Sequence, residues 1–513
     1  MTDRYLIGVD IGTTGSKGVL TDLKGRVMAY RFLEHDVDTP RPGWCEQDAD
    51  EVWWGDLTRI TRALLQASGV PAETVAAIGV SALTPDVLLI DSDGRPLHKG
   101  ILYSDNRAVA EFRELNETLG AEKIWSVAGR NLAPDSVGCK VLWLQRNEPR
   151  LWERARGLHS ATSYLVFRLT GASVIDYAIA NGFTPLFNAH QRQWDADMCA
   201  ALGVSLDRLP ELRWATQPAG MVHGQAAAET GLAEGTVVIT GTGDTFAEMV
   251  SVGAAQEGDA GLIYGTTMSM MAMVNEFRAS RQIHFGFAAL PNTYRVGFAM
   301  TASAALTRWY RDQFGQPEKE AEASLGISAY QLLSQEASDI PPGSQGLLVL
   351  PYFAGERSPI YDPAARGLIL GLTLSHTRRH VYRALLEGVA LGLRHSLEIL
   401  RGEGIVIRRI IGTGGGTRSQ LWTQIVSDVI GQDQEIVTSP YGAPLGGAFL
   451  SGFGAGLFED LTPLRTDWVQ TTGTVRWNPA AKRVYDRYFD VYRELYPRLA
   501  EDMHALAALS MMR

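Results

Sequence analysis

Asp10 ends the apolar run Leu6-Ile7-Gly8-Val9 and hands the chain to Ile11-Gly12-Thr13-Thr14-Gly15-Ser16-Lys17, a turn of two glycines and three hydroxyls. Glycine lets a backbone come close to a polyanion. The exposed N–H groups and the hydroxyls of Thr13, Thr14 and Ser16 can donate to its oxygens, and Asp10 can hold a hydrated magnesium beside it. An ordinary glycine-rich β-turn is the competing reading of this stretch. A second copy, Leu262-Ile263-Tyr264-Gly265-Thr266-Thr267-Met268-Ser269, repeats the strand and the Gly-Thr-Thr turn in the other half of the chain. Two such units imply two related domains that set their turns on opposite sides of a shared cleft, with one nucleotide between two phosphate hairpins.

Other stretches carry groups suited to the same chemistry. The apolar residues 237–240 run into Gly241-Thr242-Gly243-Asp244-Thr245, which delivers a second carboxylate at a strand end. Asp244 reads as a functional group or as a helix cap. Gly412-Thr413-Gly414-Gly415-Gly416-Thr417-Arg418-Ser419 joins a strand to a helix, and its triple glycine lets a flat or charged ligand lie against backbone N–H groups and the positive helix end. Its spacing is neither the Rossmann fingerprint nor a Walker loop. Ser81-Ala82-Leu83-Thr84-Pro85-Asp86 is a loop at a strand's carboxyl end, where open sheets bind ligands. Asp105, in Ser104-Asp105-Asn106-Arg107, is a ligand-binding candidate or the N-cap of the helix that follows.

The elements that must hold these groups have the patterning of an α/β protein. Residues 18–22, 27–32, 75–80, 87–90, 346–351 and 406–411 read as strands. Asp48, with Glu51 three residues later, is a helix start. Val52, Trp53, Leu57, Ile60 and Leu64 follow at helical spacing, which makes Trp53 a core residue. Val381, Leu385, Val389, Leu393 and Leu397 step along a long structural helix, 443–448 begins a helix of small residues, and residue 478 to the end reads as an amphipathic helix.

At 513 residues, 45% hydrophobic and 20% charged, the chain is too long for one core. Two domains are expected, 1–255 with the first hairpin and Asp244, and 256–513 with the second hairpin, the triple-glycine loop and a C-terminal helix. A formal net charge of -10 without a basic cluster argues against nucleic acid and anionic membranes and for a small, mostly neutral substrate. No signal-peptide pattern or membrane-length apolar run is present, so the expected location is cytoplasmic. Cys45, Cys139 and Cys199 are an odd, scattered set without metal-ligand spacing and are expected to be reduced and structural.

With these pieces together, the chain resembles the FGGY family of carbohydrate kinases, and within it is most similar to xylulokinases. Residues 6–18, 42–48, 351–359 and 414–428 match family blocks. Gly367-Leu368-Ile369-Leu370-Gly371-Leu372 with His380-Val381-Tyr382-Arg383-Ala384-Leu385-Leu386-Glu387 fits a family signature throughout, while the signature around Lys140 and Trp143 is looser, with Val137 where Pro, Ser or Thr is usual. The resemblance implies two actin-like, ribonuclease-H-like α/β domains flanking a deep central cleft, with sugar at its base and ATP above. It further implies Asp244 as catalytic base, Asp10 as the Mg2+-associated carboxylate, and Gly12, Thr13, Thr14, Gly265 and Thr266 as the phosphate turns. Gly415 and Ser419, flanked by Gly414 and Gly416, would meet the nucleotide.

Departures from the family fall where the acceptor is chosen. Leu83-Thr84-Pro85-Asp86 replaces the Gln-Met-His-Gly of xylulokinases, and Thr245 follows the base where Asn or Gln is usual. Asp105 matches an Asn-Asp-x-Arg-like block. Thr84, Pro85, Asp86 and Asp105 are therefore the substrate-side candidates, with Asp86 suited to recognising a hydroxyl. The expected activity is transfer of the γ-phosphoryl of ATP to a ketopentose such as xylulose, with polyols such as erythritol or glycerol as alternatives. A sugar acid would want a cation near Asp86, from Arg107 or a side chain distant in sequence. The assembly leaves room for a homodimer. The reading from another class is an actin-like or chaperone-like ATPase, which would hydrolyse ATP without an acceptor.

Overall fold

The computed structural model describes residues 3–281, 283–438 and 440–510. Two compact units divide the chain. The first comprises Met1–Glu257, Met273–Arg295 and Ser439–Gln470, and the second Gly258–Ala272, Val296–Thr438 and Thr471–Arg513. The chain therefore passes between the units more than once, where the sequence suggests a single boundary at 255/256.

One seven-stranded sheet contains β1 (Tyr5–Ile11), β2 (Gly15–Asp22), β3 (Val27–Glu34), β4 (Val75–Ala82), β5 (Pro218–Met221) and β6 (Val237–Ile239), in the order β5-β6-β4-β1-β2-β3. The two-residue strand Thr242–Gly243 lies beside β4. A second seven-stranded sheet contains β7 (Asp259–Tyr264), β8 (Met268–Val274), β9 (His284–Phe287), β10 (Tyr294–Met300), β11 (Arg409–Thr413), β12 (Gln434–Val437) and β13 (Thr471–Val475), in the order β9-β10-β8-β7-β11-β12-β13.

The two sheets repeat one plan. β1 pairs antiparallel with β2 and parallel with β4, and β4 runs parallel to β6, which is antiparallel to β5. In the second sheet β7 pairs antiparallel with β8 and parallel with β11, and β11 runs parallel to β12, which is antiparallel to β13. The two Gly-Thr-Thr turns occupy the same place in that plan, between the first two strands. Parallel central strands are buried on both faces, which is why β1 and β4 read as near-continuous apolar runs.

Helices cover the faces. The side chain of Asp48 accepts from the N–H groups of Asp50 and Glu51 and opens a wide turn, Ala49–Trp54, that leads into α1 (Gly55–Ser68). Trp53, Leu57, Ile60 and Leu64 are buried from it, each aliphatic side chain contributing about 1.5–3 kcal/mol by leaving water. The other helices that bear on the site are α2 (Val137–Asn147), α3 (Ala161–Thr170), α4 (Asp244–Ser251), α5 (Arg378–Gly402), α6 (Gln420–Ile430), α7 (Ala443–Gly454) and α8 (Pro479–Ser510). Along α5, Leu385, Val389, Leu393 and Leu397 are buried as their spacing predicts.

Helix α7 lies in sequence between the last two strands of the second sheet, β12 and β13, yet packs in the first unit, against β1, β4 and α4. Its small residues make this approach close enough that a Cβ on Gly8 would overlap the carbonyl of Pro444, and one on Gly79 the carbonyl of Gly447. No helix among the described residues is long and apolar enough to cross a membrane. Cys45, Cys139 and Cys199 are free thiols.

Candidate active site

In the first unit, the strand ends gather carboxylates. Asp10, the penultimate residue of β1, accepts from Ser81 Oγ at 2.7 Å on Oδ1, and its Oδ2 lies 3.9 Å from Lys17 Nζ across the hairpin. Burial first, and then the carboxylate of Asp244, push Asp10 up to about 7, against the pull of Lys17 and Ser81. Asp244 opens α4. Its Oδ1 accepts from Thr245 N at 2.6 Å and from Thr245 Oγ1 at 3.2 Å, and Oδ2 has no hydrogen bond among the described residues. Burial raises Asp244 above the ordinary carboxylate range, opposed by the Thr245 donors and Lys17, and burial with Asp244 raises Glu248 one turn on. Asp10, Asp244 and Glu248 thus share Lys17 as the cation acting on all three.

The first hairpin closes with Gly12 N donating to Gly15 O at 3.1 Å. Thr14 is exposed and Thr13 half-buried. Gln47 braces the turn by donating from Nε2 to the carbonyls of Gly12 (3.2 Å) and Thr13 (2.9 Å), while Trp53 Nε1 donates to its Oε1 at 2.8 Å. Nothing in the type or spacing of Gln47 marks this role. Ser16 departs from the sequence expectation. Strand alternation turns it inward, fully buried, where its hydroxyl donates to Asp56 Oδ2 at 2.7 Å and faces His35 rather than a phosphate.

In the second unit the corresponding turn closes with Gly265 N donating to Thr267 O at 3.1 Å, and Thr266 is exposed. The carbonyls of Gly265 and Thr266 accept from the N–H groups of Ser303, Ala304 and Ala305, which fixes the turn's position. The triple-glycine loop lies against this turn. Gly414 has φ +96°, and a Cβ there would come within 2.8 Å of Tyr264 O, so only glycine fits. Gly414 and Gly415 are exposed and Gly416 half-buried. Ser419 caps α6, its Oγ accepting from Trp422 N at 3.2 Å and lying 3.0 Å from Ser334 Oγ. The loop therefore offers backbone N–H groups and a helix N-terminus on one side of the hairpin.

The substrate-side candidates separate. Thr84 and Pro85, joined by a cis peptide bond, are half-buried, and a Cβ on Gly243, the residue before Asp244, would lie 2.6 Å from Thr84 Cγ2. Asp86 is fully buried. Its Oδ2 accepts from Ala161 N at the start of α3 at 2.7 Å, and its Oδ1 has no partner among the described residues. Burial pushes it up to about 8, outweighing the Ala161 bond and the nearby Lys140. Lys140, on α2, is pushed down to about 8 by its own burial and donates to Leu102 O at 2.7 Å.

Asp105 is neither a helix cap nor open to a ligand. Its Oδ2 accepts from Cys45 N (2.6 Å) and Arg107 Nη2 (2.7 Å), and its Oδ1 accepts from Arg107 N and Nε. Arg107 also pairs with Glu46 at 2.6 Å and lies between the rings of Trp44 and Trp143, so both charges are satisfied internally.

Two domains of one family span most of the chain: the N-terminal domain of the FGGY family of carbohydrate kinases matches residues 5–251, and its C-terminal domain residues 260–455. The chain belongs to the FGGY family of carbohydrate kinases. A xylulose kinase of Lactococcus lactis subsp. lactis is 29% identical over 98% of each chain. A gluconokinase of Bacillus subtilis is 28% identical over 89% of this chain and 88% of its own. Among solved structures, a xylulose kinase from Rhodospirillum rubrum superposes with a TM-score of 0.90 at 29% identity, covering 98% of this chain and all of that one. The duplicated sheets are thus the actin-like, ribonuclease-H-like pair of the FGGY fold, and the protein is a sugar phosphotransferase that uses ATP as donor.

Proposed function

We propose that this FGGY kinase phosphorylates a hydroxyl of a small sugar, a ketopentose such as xylulose, with Asp244 as the base. The observation that carries the reading is Asp244 itself: a carboxylate at a strand end, raised by burial, with one oxygen held by Thr245 and the other without a partner among the described residues. A raised carboxylate is a better proton acceptor than an ordinary one, and its open oxygen is the atom to receive the proton of an incoming hydroxyl. The named xylulose kinases among the relatives support the ketopentose.

In this reading Gly12, Thr13 and Thr14 of the first hairpin and Gly265 and Thr266 of the second are the phosphate-binding turns for ATP. Gly414, Gly415, Gly416 and the α6 end at Ser419 take the rest of the nucleotide. Phosphoryl transfer through a loose transition state depends mainly on alignment and charge neutralisation, which paired N–H turns supply. Buried negative charge at Asp10, Asp244 and Glu248 against Lys17 suits a magnesium ion held by Asp10. Magnesium bound there would keep waters and take its other oxygens from phosphate. When bound, magnesium would neutralise phosphate charge. Thr84 and Pro85 line the acceptor side and Asp86 supports it from behind. Cytoplasmic residence belongs to the same proposal.

The test is ADP release by the purified protein with ATP and magnesium over ketopentoses, ketohexoses and polyols. Turnover that requires an added acceptor and is highest with a ketopentose supports the reading. Equal ADP release without any acceptor would return the protein to the hydrolytic ATPases.

A further inference from the structure

Two guanidinium groups in the first unit have no acid of their own. Arg130 and Arg295 are half-buried, and neither makes an ion pair among the described residues. Arg295 lies over the ring of Phe246, its Cζ 5.0 Å from the ring centroid, and its Nη1 is 3.4 Å from His284 Nδ1. Arg130 donates from Nη1 to Asn181 O at 3.4 Å. The two arginines repel each other, and burial together with both of them keeps His284 neutral. Asp135 is the acid whose field reaches Arg130.

The same cluster concentrates unpaired buried polar atoms. Arg130 Nε, Arg295 Nε, His284 Nε2 and both Nδ2 and Oδ1 of Asn181 are buried without a hydrogen-bond partner among the described residues. A guanidinium can only donate, so the contact with Arg295 makes His284 Nδ1 the acceptor and leaves the proton on Nε2. The orphaned His284 nitrogen is therefore a donor too. Gly286 keeps the group apart: a Cβ there would stand 3.2 Å from both Arg295 Cζ and Asn181 Oδ1. Buried donors that converge unpaired are costly, and two like charges among them more so, unless an anion completes the set.

The cluster borders the base. Phe246, beneath Arg295, is two residues after Asp244, and a Cβ on Gly182, the neighbour of Asn181, would lie 2.8 Å from Pro85 Cβ. Arg107, the cation closer in sequence to the Asp86 loop, is already taken by Asp105, Glu46 and two indole rings. The geometry points to an anion subsite formed by Arg130, Arg295, His284 and Asn181, which takes the carboxylate of a sugar acid whose hydroxyl Asp244 deprotonates. This rests on the assignment of Asp244 as base and departs from the proposed function in the acceptor alone, putting a sugar acid in place of the ketopentose. The guanidinium fork matches a planar carboxylate in two parallel bonds, whereas a neutral ketose brings hydroxyls but no charge.

The test compares ADP release by the full-length protein for matched acids and neutral sugars: D-xylonate against D-xylulose, L-arabinonate against L-ribulose, D-gluconate against D-fructose. A phosphorylated ketose serves as the phosphate-bearing probe, and calorimetry measures binding of each aldonate without ATP. At least one aldonate should exceed its neutral partner in kcat/KM by tenfold or more. In Arg295→Gln that ratio should fall about 100-fold, mainly through KM, with partial recovery in Arg295→Lys. Arg130→Gln gives an independent readout should Arg295→Gln fail to fold. Turnover of neutral ketoses with no aldonate binding overturns the subsite and leaves the kinase assignment intact. Aldonate binding that is lost in Arg130→Gln, without turnover of any acceptor, keeps the subsite and overturns the role of Asp244. Preference for the phosphorylated ketose replaces carboxylate by phosphate as the anion and overturns the acid.

Discussion

Asp244 and Asp86 are both lifted by burial, but they suit different work. Asp244 keeps an oxygen without a partner at a half-buried position, as a proton acceptor must. Asp86 is sealed, with one oxygen on Ala161 N and the other without a partner among the described residues, and its burial favours the protonated form. Its folded value of about 8 stands above the ordinary 3.8, so the folded protein binds this proton more tightly than the unfolded chain. The stabilisation from Asp86 is therefore complete below pH 4 and is lost as pH rises through 8, at up to about 1.4 kcal/mol per pH unit. Asp86→Asn, which resembles the protonated form, should flatten the fall in melting temperature between pH 6 and pH 8.5. An unchanged slope would mean that Asp86 is ionised. Gln47 makes a separate prediction. Gln47→Ala removes two hydrogen bonds to the first hairpin and should raise KM for ATP about tenfold with a smaller change in kcat, as measured by steady-state kinetics. Residue type alone cannot reveal such partners. Ser16 and Asp105 have the right chemistry for ligands, yet one faces Asp56 and the other closes on Arg107.

The first Gly-Thr-Thr turn owes its placement to how closely α7 lies beneath β1 and β4. The carbonyl of Pro444 occupies the space a Cβ would need at Gly8, two residues before Asp10, and the carbonyl of Ala247 on α4 does the same at Gly446. Backbone cannot swing aside as a side chain can. Gly8→Ala should therefore cost about 3 kcal/mol in chemical denaturation and displace Asp10 from Ser81. Gly473→Ala, where a new Cβ meets nothing within 4 Å, should stay within about 0.5 kcal/mol. If the two variants are equally stable, the close packing is not what holds the turn. Strand and helix identities were readable where apolar periodicity is strong, as in β1, β4, α1 and α5. The partner of α7 was not, because a run of small residues says that something approaches closely without saying what.

Across the molecule, the repeated Gly-Thr-Thr turn was the most informative feature of the chain. It predicted two kindred sheets, and strand order and direction in both sheets agree with it. The segments 273–295 and 439–470, which return to the first unit, leave no local trace, since no turn chemistry distinguishes a chain that crosses from one that stays. Arg130 and Arg295 were unreadable as a cluster for a related reason: they are far apart in sequence, and burial without an acid partner is a property of the fold alone. If Asp244 serves the acceptor and the hairpins serve the nucleotide, ATP binding and acceptor deprotonation are separable functions of different residues. Asp244→Asn tests this most directly, by acceptor-dependent ADP release together with an ATP titration of the same protein. We predict that kcat falls by about two to four orders of magnitude while ATP affinity stays within threefold. Near-normal acceptor-dependent ADP release by that variant would contradict the account.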